Sequence, residues 1–194
     1  MNQSFAALLL AARRERQPVI ATALTDGAPS GQARQARLAQ QQGAEALELR
    51  ADLLVDPAQV RAALTAVRAA SSLPLLLTYR SATEGGKGAG HGQGYEDYLA
   101  SLLQLRPAVA AVDIEMACPA SKALVAEAKA GGYDVVGSCH DFTATPSADQ
   151  ITQKLAQITA AGADITKVAY MPRTAQDVDA LRHADHEFAG AYTH

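Results

Sequence analysis

The segment from Ala46 to Leu54, ALELRADLL, is an apolar run interrupted by three charged residues. Because side chains alternate across a β-strand, Glu48, Arg50 and Asp52 share one face of a strand formed by this segment. A face with three charges is not plain hydrophobic core. The segment therefore predicts a strand that is apolar for most of its length and polar towards its C-terminal end.

Five further segments have the same character and are spaced along the whole chain. They begin at Pro18 (PVIATAL), Leu73 (LPLLLTY), Ala110 (AAVDIEM), Tyr133 (YDVVGSC) and Asp164 (DITKVAY). Runs that are apolar on both faces are typical of parallel strands covered by helices. Since amphipathic segments lie between them, the sequence predicts an α/β protein with right-handed parallel crossovers.

Capping residues mark the boundaries of the helices expected between these strands. The dipeptide Asp56–Pro57 predicts the N-cap and first turn of one helix. Cys118–Pro119 is expected to begin another, which Gly131–Gly132 ends. Thr174 is expected to cap a last helix that runs toward Tyr192.

The composition is that of one globular domain, which we expect to span residues 1–194. Hydrophobic residues make up 48% and charged residues 19%. A net charge of -3 gives no reason to expect nucleic acid or a membrane surface as a partner. Two cysteines cannot form a disulfide framework, the short N-terminal apolar run is not a convincing signal peptide, and no stretch approaches a membrane span. We therefore expect a cytoplasmic protein.

The number of strands and the position of the polar residues favour different folds. Six βα units are counted, which suits an open doubly wound sheet, whereas a closed barrel needs eight units and typically about 250 residues. However, the polar residues fall in the C-terminal halves of successive strands, where a closing sheet would bring them to one mouth. These residues are Glu48 and Arg50, Thr78 and Arg80, Asp113 and Glu115, Ser138 and His140, and finally Lys167. The predicted fold class is therefore α/β, of the (β/α)8 TIM-barrel family, with about six βα units in this chain.

Lys167 points most directly to a chemistry. Apolar residues flank it on a strand predicted to be buried, where a charged ammonium is strongly desolvated. Burial and the nearby charges of Arg50 and Arg80 would lower the pKa of the amine, and a neutral amine can add to a carbonyl to form an iminium. His140 would move a proton at the neighbouring carbon. These residues predict a Schiff-base lyase, although each taken alone is also compatible with an ion pair or a structural hydrogen bond.

Five ordered blocks resemble a known family. They are ELRADLL from Glu48, TYRSATEGGKG from Thr78, VDIE from Val112, SCHDFTATP from Ser138 and ADITKVAYMP from Ala163. In order and spacing they resemble the conserved blocks of type I 3-dehydroquinate dehydratases. The resemblance implies a (β/α)8 barrel that catalyses the syn elimination of water from 3-dehydroquinate to 3-dehydroshikimate, in the shikimate pathway, without a metal or organic cofactor.

The resemblance also implies a role for each matching residue. Lys167 matches the lysine that forms an imine with the substrate ketone, and His140 matches the histidine that takes the proton and later helps the hydroxyl leave. Glu84 matches the carboxylate that orients this histidine. The substrate-binding residues implied in the same way are Glu48, Arg50, Arg80 and Thr22, the last standing where the family commonly has a serine.

Three other features are interpreted without a catalytic role. The stretch EGGKGAGHGQG, residues 84–94, lacks the phosphate-loop arrangement and is expected to be a mobile rim loop. Cys139 is expected to point away from His140 and to serve in packing. His183 and His186 are expected to lie on a solvated helix face, since no third metal ligand is evident.

The family continues with two more strands, which carry an arginine for the substrate carboxylate, and these strands have no counterpart in this sequence. Three hypotheses follow. The chain is an active dehydratase whose exposed strand edges are covered by self-association, as a homo-oligomer such as a dimer, or by the N-terminal segment 1–17. Alternatively, it is another Schiff-base enzyme of class I aldolase type, which the SCHDF block argues against, or an inactive truncated remnant of the family.

Overall fold

A single parallel sheet of six strands organises the structure, a computed structural model that describes residues 4–54, 56–105 and 108–191. The strands are β1 (Ala21–Leu24), β2 (Ala46–Arg50), β3 (Leu75–Thr78), β4 (Ala111–Glu115), β5 (Asp134–Asp141) and β6 (Ile165–Tyr170). They lie in chain order, and each neighbouring pair is parallel. A doubly wound sheet reverses its strand order at a switch point, whereas this order never reverses. The prediction of an incomplete β/α barrel with six units is confirmed.

Helices alternate with the strands and begin close to the predicted caps. They are α1 (Phe5–Arg14), α2 (Pro29–Gln41), α3 (Pro57–Ala70), α4 (Gln93–Leu102), α5 (Ser121–Ala130), α6 (Ala148–Ala160) and α7 (Ala175–Ala191), with short 3-10 turns at Ala51–Leu53 and Ala82–Glu84. The Asp56 side chain accepts from the backbone N–H of Gln59 at 2.9 Å, and Thr174 Oγ1 accepts from that of Asp177 at 3.2 Å. Among the described residues, no helix combines the length and apolarity needed to cross a membrane.

The predicted start of α5 at Cys118–Pro119 is wrong by two residues. The backbone N–H of Cys118 donates to Glu115 O at 3.2 Å, and that of Ser121 donates to Cys118 O at 3.0 Å. These bonds form a turn between β4 and the helix, so the proline lies in the turn and α5 begins at Ser121. The predicted end is confirmed, since Gly131 is the C-cap and Gly132 has a φ of 72°.

Alternate residues of each strand face a helix layer, and this face is the main core. Leu47 and Leu49 of β2 and Leu75 and Leu77 of β3 are at most 1% exposed. They belong to the same apolar cluster as Val60, Ala63, Leu64 and Val67 of α3. The residues between them in sequence face the other way, into the concave side of the sheet. The polar residues described below therefore share this inner face.

Helix α1 fills the N-terminal end of the inner face. Phe5 is 5% exposed and clusters with Ala46, Leu76, Ala111 and Val136, which are the inner-face residues nearest the strand starts. At the start of α1, Ser4 Oγ and the backbone N–H of Ala6 both donate to Asp134 Oδ2, at 2.8 and 2.9 Å. The described part of the N-terminal segment thus packs on the inner face, and β1 and β6 each pair with a single neighbour among the described strands.

Candidate active site

The C-terminal halves of the strands bring the predicted polar residues together on the inner face. The register of the parallel strands places these residues side by side, because Ser138 of β5 pairs with Lys167 of β6 and with Glu115 of β4. Residues paired in this way project to the same side of the sheet. Six of the predicted catalytic and substrate-binding residues lie in this cluster: Glu48, Arg50, Arg80, Glu84, His140 and Lys167.

Lys167 contacts carboxylates and is partly exposed. Its Nζ lies 3.2 Å from Asp113 Oδ2 and 3.3 Å from Glu48 Oε1, and its side chain is 32% exposed. The expected setting, a buried amine governed by Arg50 and Arg80, is not what the structure contains. Because β6 pairs only with β5 among the described strands, the amine is partly open to solvent, and the charged groups that it contacts are negative.

Asp113 is the central carboxylate of the cluster. Its side chain is 1% exposed, and it accepts from Ser138 Oγ at 2.6 Å and lies 2.8 Å from Arg80 Nη2, beside its contact with Lys167. Burial acts to raise the pKa of Asp113, but the charges of Arg80 and Lys167 outweigh it, so the pKa lies below the ordinary value. An ionised Asp113 therefore links the lysine to the arginine.

Arg80 joins Asp113 to the catalytic pair predicted from the sequence. Its Nη1 lies 3.4 Å from Glu84 Oε2 and 3.0 Å from Glu115 Oε1. Glu84 Oε2 also accepts a hydrogen bond from Nδ1 of His140 at 2.7 Å. Burial opposes the charge on Arg80, but the surrounding carboxylates hold its pKa above the usual value. Because Glu84 binds both Arg80 and His140, it fixes the orientation of the imidazole.

Arg50 and Asp52 form a bidentate ion pair at the rim. Arg50 Nε and Nη2 donate to the two carboxylate oxygens of Asp52 at 2.8 and 2.7 Å. Burial raises the pKa of Asp52, yet hydrogen bonds from Arg50 and from the backbone of Lys87 bring it below the ordinary value. Glu48 accepts from Thr78 Oγ1 at 2.7 Å, which aims its carboxylate at the mouth. These contacts fix the predicted substrate-binding groups before any ligand arrives.

Thr22 is the predicted site residue that the structure does not bring to the cluster. It pairs with Leu47, whereas its neighbour Ala23 pairs with Glu48. Since paired residues of parallel strands point to the same side, Thr22 faces the helix layer along with Leu24, and Ala23 occupies the inner face. The prediction that Thr22 binds substrate is therefore wrong for this register.

The glycine-rich stretch folds back onto the end of β3. The backbone N–H of Gly86 donates to Ser81 O at 2.7 Å, that of Gly88 to Arg80 O at 3.0 Å, and that of Lys87 to Asp52 Oδ2 at 3.1 Å. A Cβ on Gly86 would lie 2.2 Å from Arg80 O, so this approach needs glycine. The expected rim loop is thus tied to the site by several hydrogen bonds.

His91 and Ser81 belong to the site although sequence reasoning did not select them. His91 Nε2 lies 2.5 Å from Glu115 Oε2, and Ser81 donates to the same carboxylate from its backbone N–H at 2.8 Å. Their partner is 24 residues or more away in sequence, so no local pattern marks them. A histidine among glycines after a predicted site carboxylate was the available signal.

The remaining sequence interpretations concern residues outside the cluster. Cys139 pairs with Val168, one position away from the inner-face pair of His140, and burial raises the pKa of its thiol. His183 is 62% exposed on its side chain and lies 3.3 Å from Glu187, one turn along α7. This agrees with the packing and solvated-helix interpretations.

One group in the described residues has the composition of a metal site. Glu84, His91 and Glu115 each place a ligand atom within 4.8 Å of the others. However, Arg80 Nη1 already lies between the two carboxylates. Because a guanidinium there would repel a metal cation, we assign no metal to this group.

The fold and the cluster together define a class of protein, a β/α barrel with a lysine, a histidine and carboxylates at the mouth. The family is shown by comparison. A family model described as type I 3-dehydroquinase matches residues 20–193, and the chain belongs to this family.

The relatives extend beyond the part that matches. The 3-dehydroquinate dehydratase of Methanosarcina acetivorans is 38% identical over 154 residues, covering 77% of this chain and 64% of the relative. That of Klebsiella pneumoniae strain 342 is 38% identical over 147 residues, covering 70% and 56%. The chain thus spans somewhat less than two thirds of the length of these curated relatives.

Solved structures agree with the family assignment. The 3-dehydroquinate dehydratase of Enterococcus faecalis has a TM-score of 0.83 at 30% identity, covering 91% of this chain and 75% of that one. The type I enzyme of Clostridium difficile, solved with covalently modified comenic acid, has a TM-score of 0.83 at 25% identity, covering 91% and 72%.

Proposed function

We propose that this protein removes water from 3-dehydroquinate by syn elimination, giving 3-dehydroshikimate through an imine on Lys167. The observation that carries the proposal is the joint position of Lys167, His140 and Glu84 at the mouth of the sheet in a member of the type I 3-dehydroquinase family. The names of the relatives add support, since each relative cited above is a 3-dehydroquinate dehydratase.

In the proposed reaction, the neutral amine of Lys167 adds to the substrate ketone and loses water to give an iminium. Asp113 and Glu48 accept hydrogen bonds from the lysine, so they can receive protons that the amine releases. The iminium withdraws electrons from the adjacent carbon, which makes its proton removable. Hydrolysis of the product imine then frees the lysine for another turnover.

His140 is the proposed base and acid. With Nδ1–H donating to Glu84, the lone pair of the neutral imidazole is on Nε2, which can take the proton from the carbon next to the iminium. The same nitrogen then gives that proton to the departing hydroxyl, which leaves as water. One group suffices for both transfers when proton and hydroxyl leave from the same side of the ring.

The substrate contacts proposed for this chain come from the rim. Glu48, Arg50 and Arg80 present carboxylate and guanidinium groups that match the hydroxyls and polar edge of the substrate. The chemistry proposed uses no metal or organic cofactor. An aldolase-type reaction is the weaker alternative, because nothing in such a reaction calls for the Glu84–His140 pair.

Several broader properties are also proposed. We expect residues 1–194 to form one β/α-barrel-type domain that acts on a small molecule in the cytoplasm and forms a homodimer. Nucleic acid and membranes are not expected partners, since the net charge is -3.

Turnover tests the proposal directly. The protein is mixed with 3-dehydroquinate, and the formation of 3-dehydroshikimate is followed for the wild type, Lys167→Ala and Lys122→Ala. Lys122 is exposed on α5 and serves as the matched lysine control. We expect product from the wild type and the control but not from Lys167→Ala. Absence of product from the wild type would contradict dehydratase activity and favour the inactive remnant.

A further inference from the structure

His91 occupies a defined position at the junction between the glycine-rich stretch and α4. Its side chain is 14% exposed, and its ring packs edge-on against Tyr95, with centroids 5.5 Å apart. Its backbone N–H donates to Thr83 Oγ1 at 3.3 Å. Backbone and ring contacts therefore both direct the imidazole to the inside of the sheet mouth.

The partner of this imidazole is a fully buried carboxylate of the site. Glu115 has a side-chain exposure of 0% and takes hydrogen bonds on both oxygens. Oε1 accepts from Arg80 Nη1 at 3.0 Å and from the backbone N–H of Ser81 at 2.8 Å. Oε2 accepts from Ser81 Oγ and from His91 Nε2, each at 2.5 Å. Because a carboxylate accepts only, the proton in the last contact belongs to Nε2 of His91.

These contacts connect His91 to the predicted base through an unbroken chain of charged groups. Glu115 holds Arg80, Arg80 contacts Glu84, and Glu84 accepts from His140. Every member of this chain except His91 is a residue that the family resemblance or the strand pattern singles out. His91 is the outer end of this chain, and the glycine-rich stretch supplies both Glu84 and His91 to it.

We infer that His91 is a positioning residue for the dehydration, acting through Glu115 and Arg80 to hold Glu84 and His140 in their reactive orientation. This inference rests on the proposed function. Without the Nε2–H donor, one oxygen of a fully enclosed carboxylate loses a charge-assisted partner, and Arg80 is free to shift toward it. A shift of Arg80 changes the distance to Glu84 and therefore the orientation of His140.

Two variants separate the hydrogen bond of His91 from its packing. His91→Phe keeps a ring against Tyr95 but has no donor, whereas His91→Gln loses the ring and retains an N–H donor. His183→Phe on α7 is the matched control, because His183 is 62% exposed and remote from the chain of contacts. We expect His91→Phe to lower kcat by about 10- to 100-fold with a smaller change in KM, and His91→Gln to recover much of the loss.

A second readout does not depend on turnover. The imidazole of His140 is titrated by NMR in the wild type and in the three variants, with its resonance assigned by His140→Asn. We expect the His140 titration midpoint to move in His91→Phe and to stay at the wild-type value in His183→Phe. An unchanged midpoint together with unchanged kcat in a folded His91→Phe protein would overturn the positioning role.

The two readouts distinguish the inference from the function on which it rests. If the wild type gives no product but the His140 midpoint still moves in His91→Phe, the dehydration fails and the coupling of His91 to His140 stands. If the wild type turns over and kcat falls as far in His91→Gln as in His91→Phe, the packing of the ring and not the N–H donor determines the rate, which contradicts the inference.

Discussion

Glu84 separates two steps of the proposed reaction, because it binds the histidine and not the lysine. Its Oε2 accepts from His140 Nδ1 at 2.7 Å and lies 3.4 Å from Arg80. In Glu84→Gln the charge is lost and the amide can either accept from or donate to Nδ1, so the imidazole is no longer held in one tautomer. We expect kcat to fall by about 10- to 100-fold while imine formation on Lys167 persists. Steady-state kinetics beside trapping of the imine would test this.

Glu127→Gln on the exposed face of α5 is the control for Glu84→Gln. It removes the same charge from the same residue type without touching the site. Loss of imine trapping in Glu84→Gln would contradict the assignment of Glu84 to His140, because it would mean that the carboxylate serves the lysine.

Asp113 makes the stability of the fold depend on pH in the acid range. Its folded pKa lies below the ordinary value of 3.8, so the ionised carboxylate stabilises the fold. This contribution is complete above the unfolded pKa and is lost as the pH falls through the folded pKa. We expect the free energy of unfolding to fall less steeply between about pH 5 and pH 2 in Asp113→Asn than in the wild type. Urea titrations of both proteins at several pH values measure this dependence of the free energy of unfolding on pH.

The pKa of Asp52 is also lowered, so Asp52 contributes to the loss of stability in acid as well. The dependence of the free energy of unfolding on pH should therefore be reduced in Asp113→Asn and not abolished. If the free energy of unfolding of Asp113→Asn fell with pH as steeply as that of the wild type, Asp113 would contribute nothing to the pH dependence of stability. A steeper fall in the variant would mean that the folded pKa of Asp113 is raised.

Sequence reasoning found the residues of the site that stand alternately on strands. Glu48 and Arg50 follow from period-two alternation and Lys167 from the apolar residues that flank it, and the structure brings the three together. Thr22 was misplaced because the resemblance gave its position but not its register against β2. His91 was missed because it lies in a loop and its partner, Glu115, lies on β4, 24 residues further along the chain, so only folding brings the two into contact.

Helix α1 is the element whose contribution the sequence left open. Phe5 is 5% exposed in the cluster at the strand starts, whereas Leu10 on the same helix is 55% exposed. Truncating a buried phenylalanine removes its transfer free energy and leaves a cavity. We therefore expect Phe5→Ala to lower the free energy of unfolding by about 3 to 5 kcal/mol and Leu10→Ala by well under about 1 kcal/mol.

Urea denaturation of the two variants, followed by circular dichroism, makes the comparison within one helix. Equal losses would mean that α1 does not pack as described. The expected difference would establish that the inner face needs an apolar cover at its N-terminal end.

Elements with strong local signals were predicted and elements defined by contacts were not. The Asp56 cap and the apolar strands agree with the structure, because capping and two-sided burial leave marks in a few adjacent residues. The start of α5 was placed at Cys118–Pro119, since the sequence cannot tell a proline in a turn from one in a first helical turn. The apolar run of α1 gave no sign of the face it covers.

The whole sheet has two edges with backbone groups unpaired by any described strand, those of β1 and β6. Exposed edges favour pairing with another chain. We expect a dimer at micromolar concentration by size-exclusion chromatography with light scattering. A monomer under these conditions would contradict self-association through the edges.

At the scale of the molecule, the six-unit order could be predicted because each unit repeats the same pattern of strand and helix. The strand count could not distinguish an open sheet from an incomplete barrel. The charged residues at the ends of successive strands favoured the barrel, because a closing sheet brings those ends together. The ion-pair arrangement at that point, with Asp113 between Arg80 and Lys167, depends on side-chain geometry that no sequence pattern contains.

The central claim is that Lys167 forms an imine with the substrate, and covalent trapping tests it most directly. The protein is incubated with 3-dehydroquinate, reduced with borohydride and digested, and the added mass is located by peptide mass spectrometry. We predict a single adduct on Lys167 in the wild type and none in Lys167→Ala. An adduct on another lysine, or none in the wild type, would contradict the assignment.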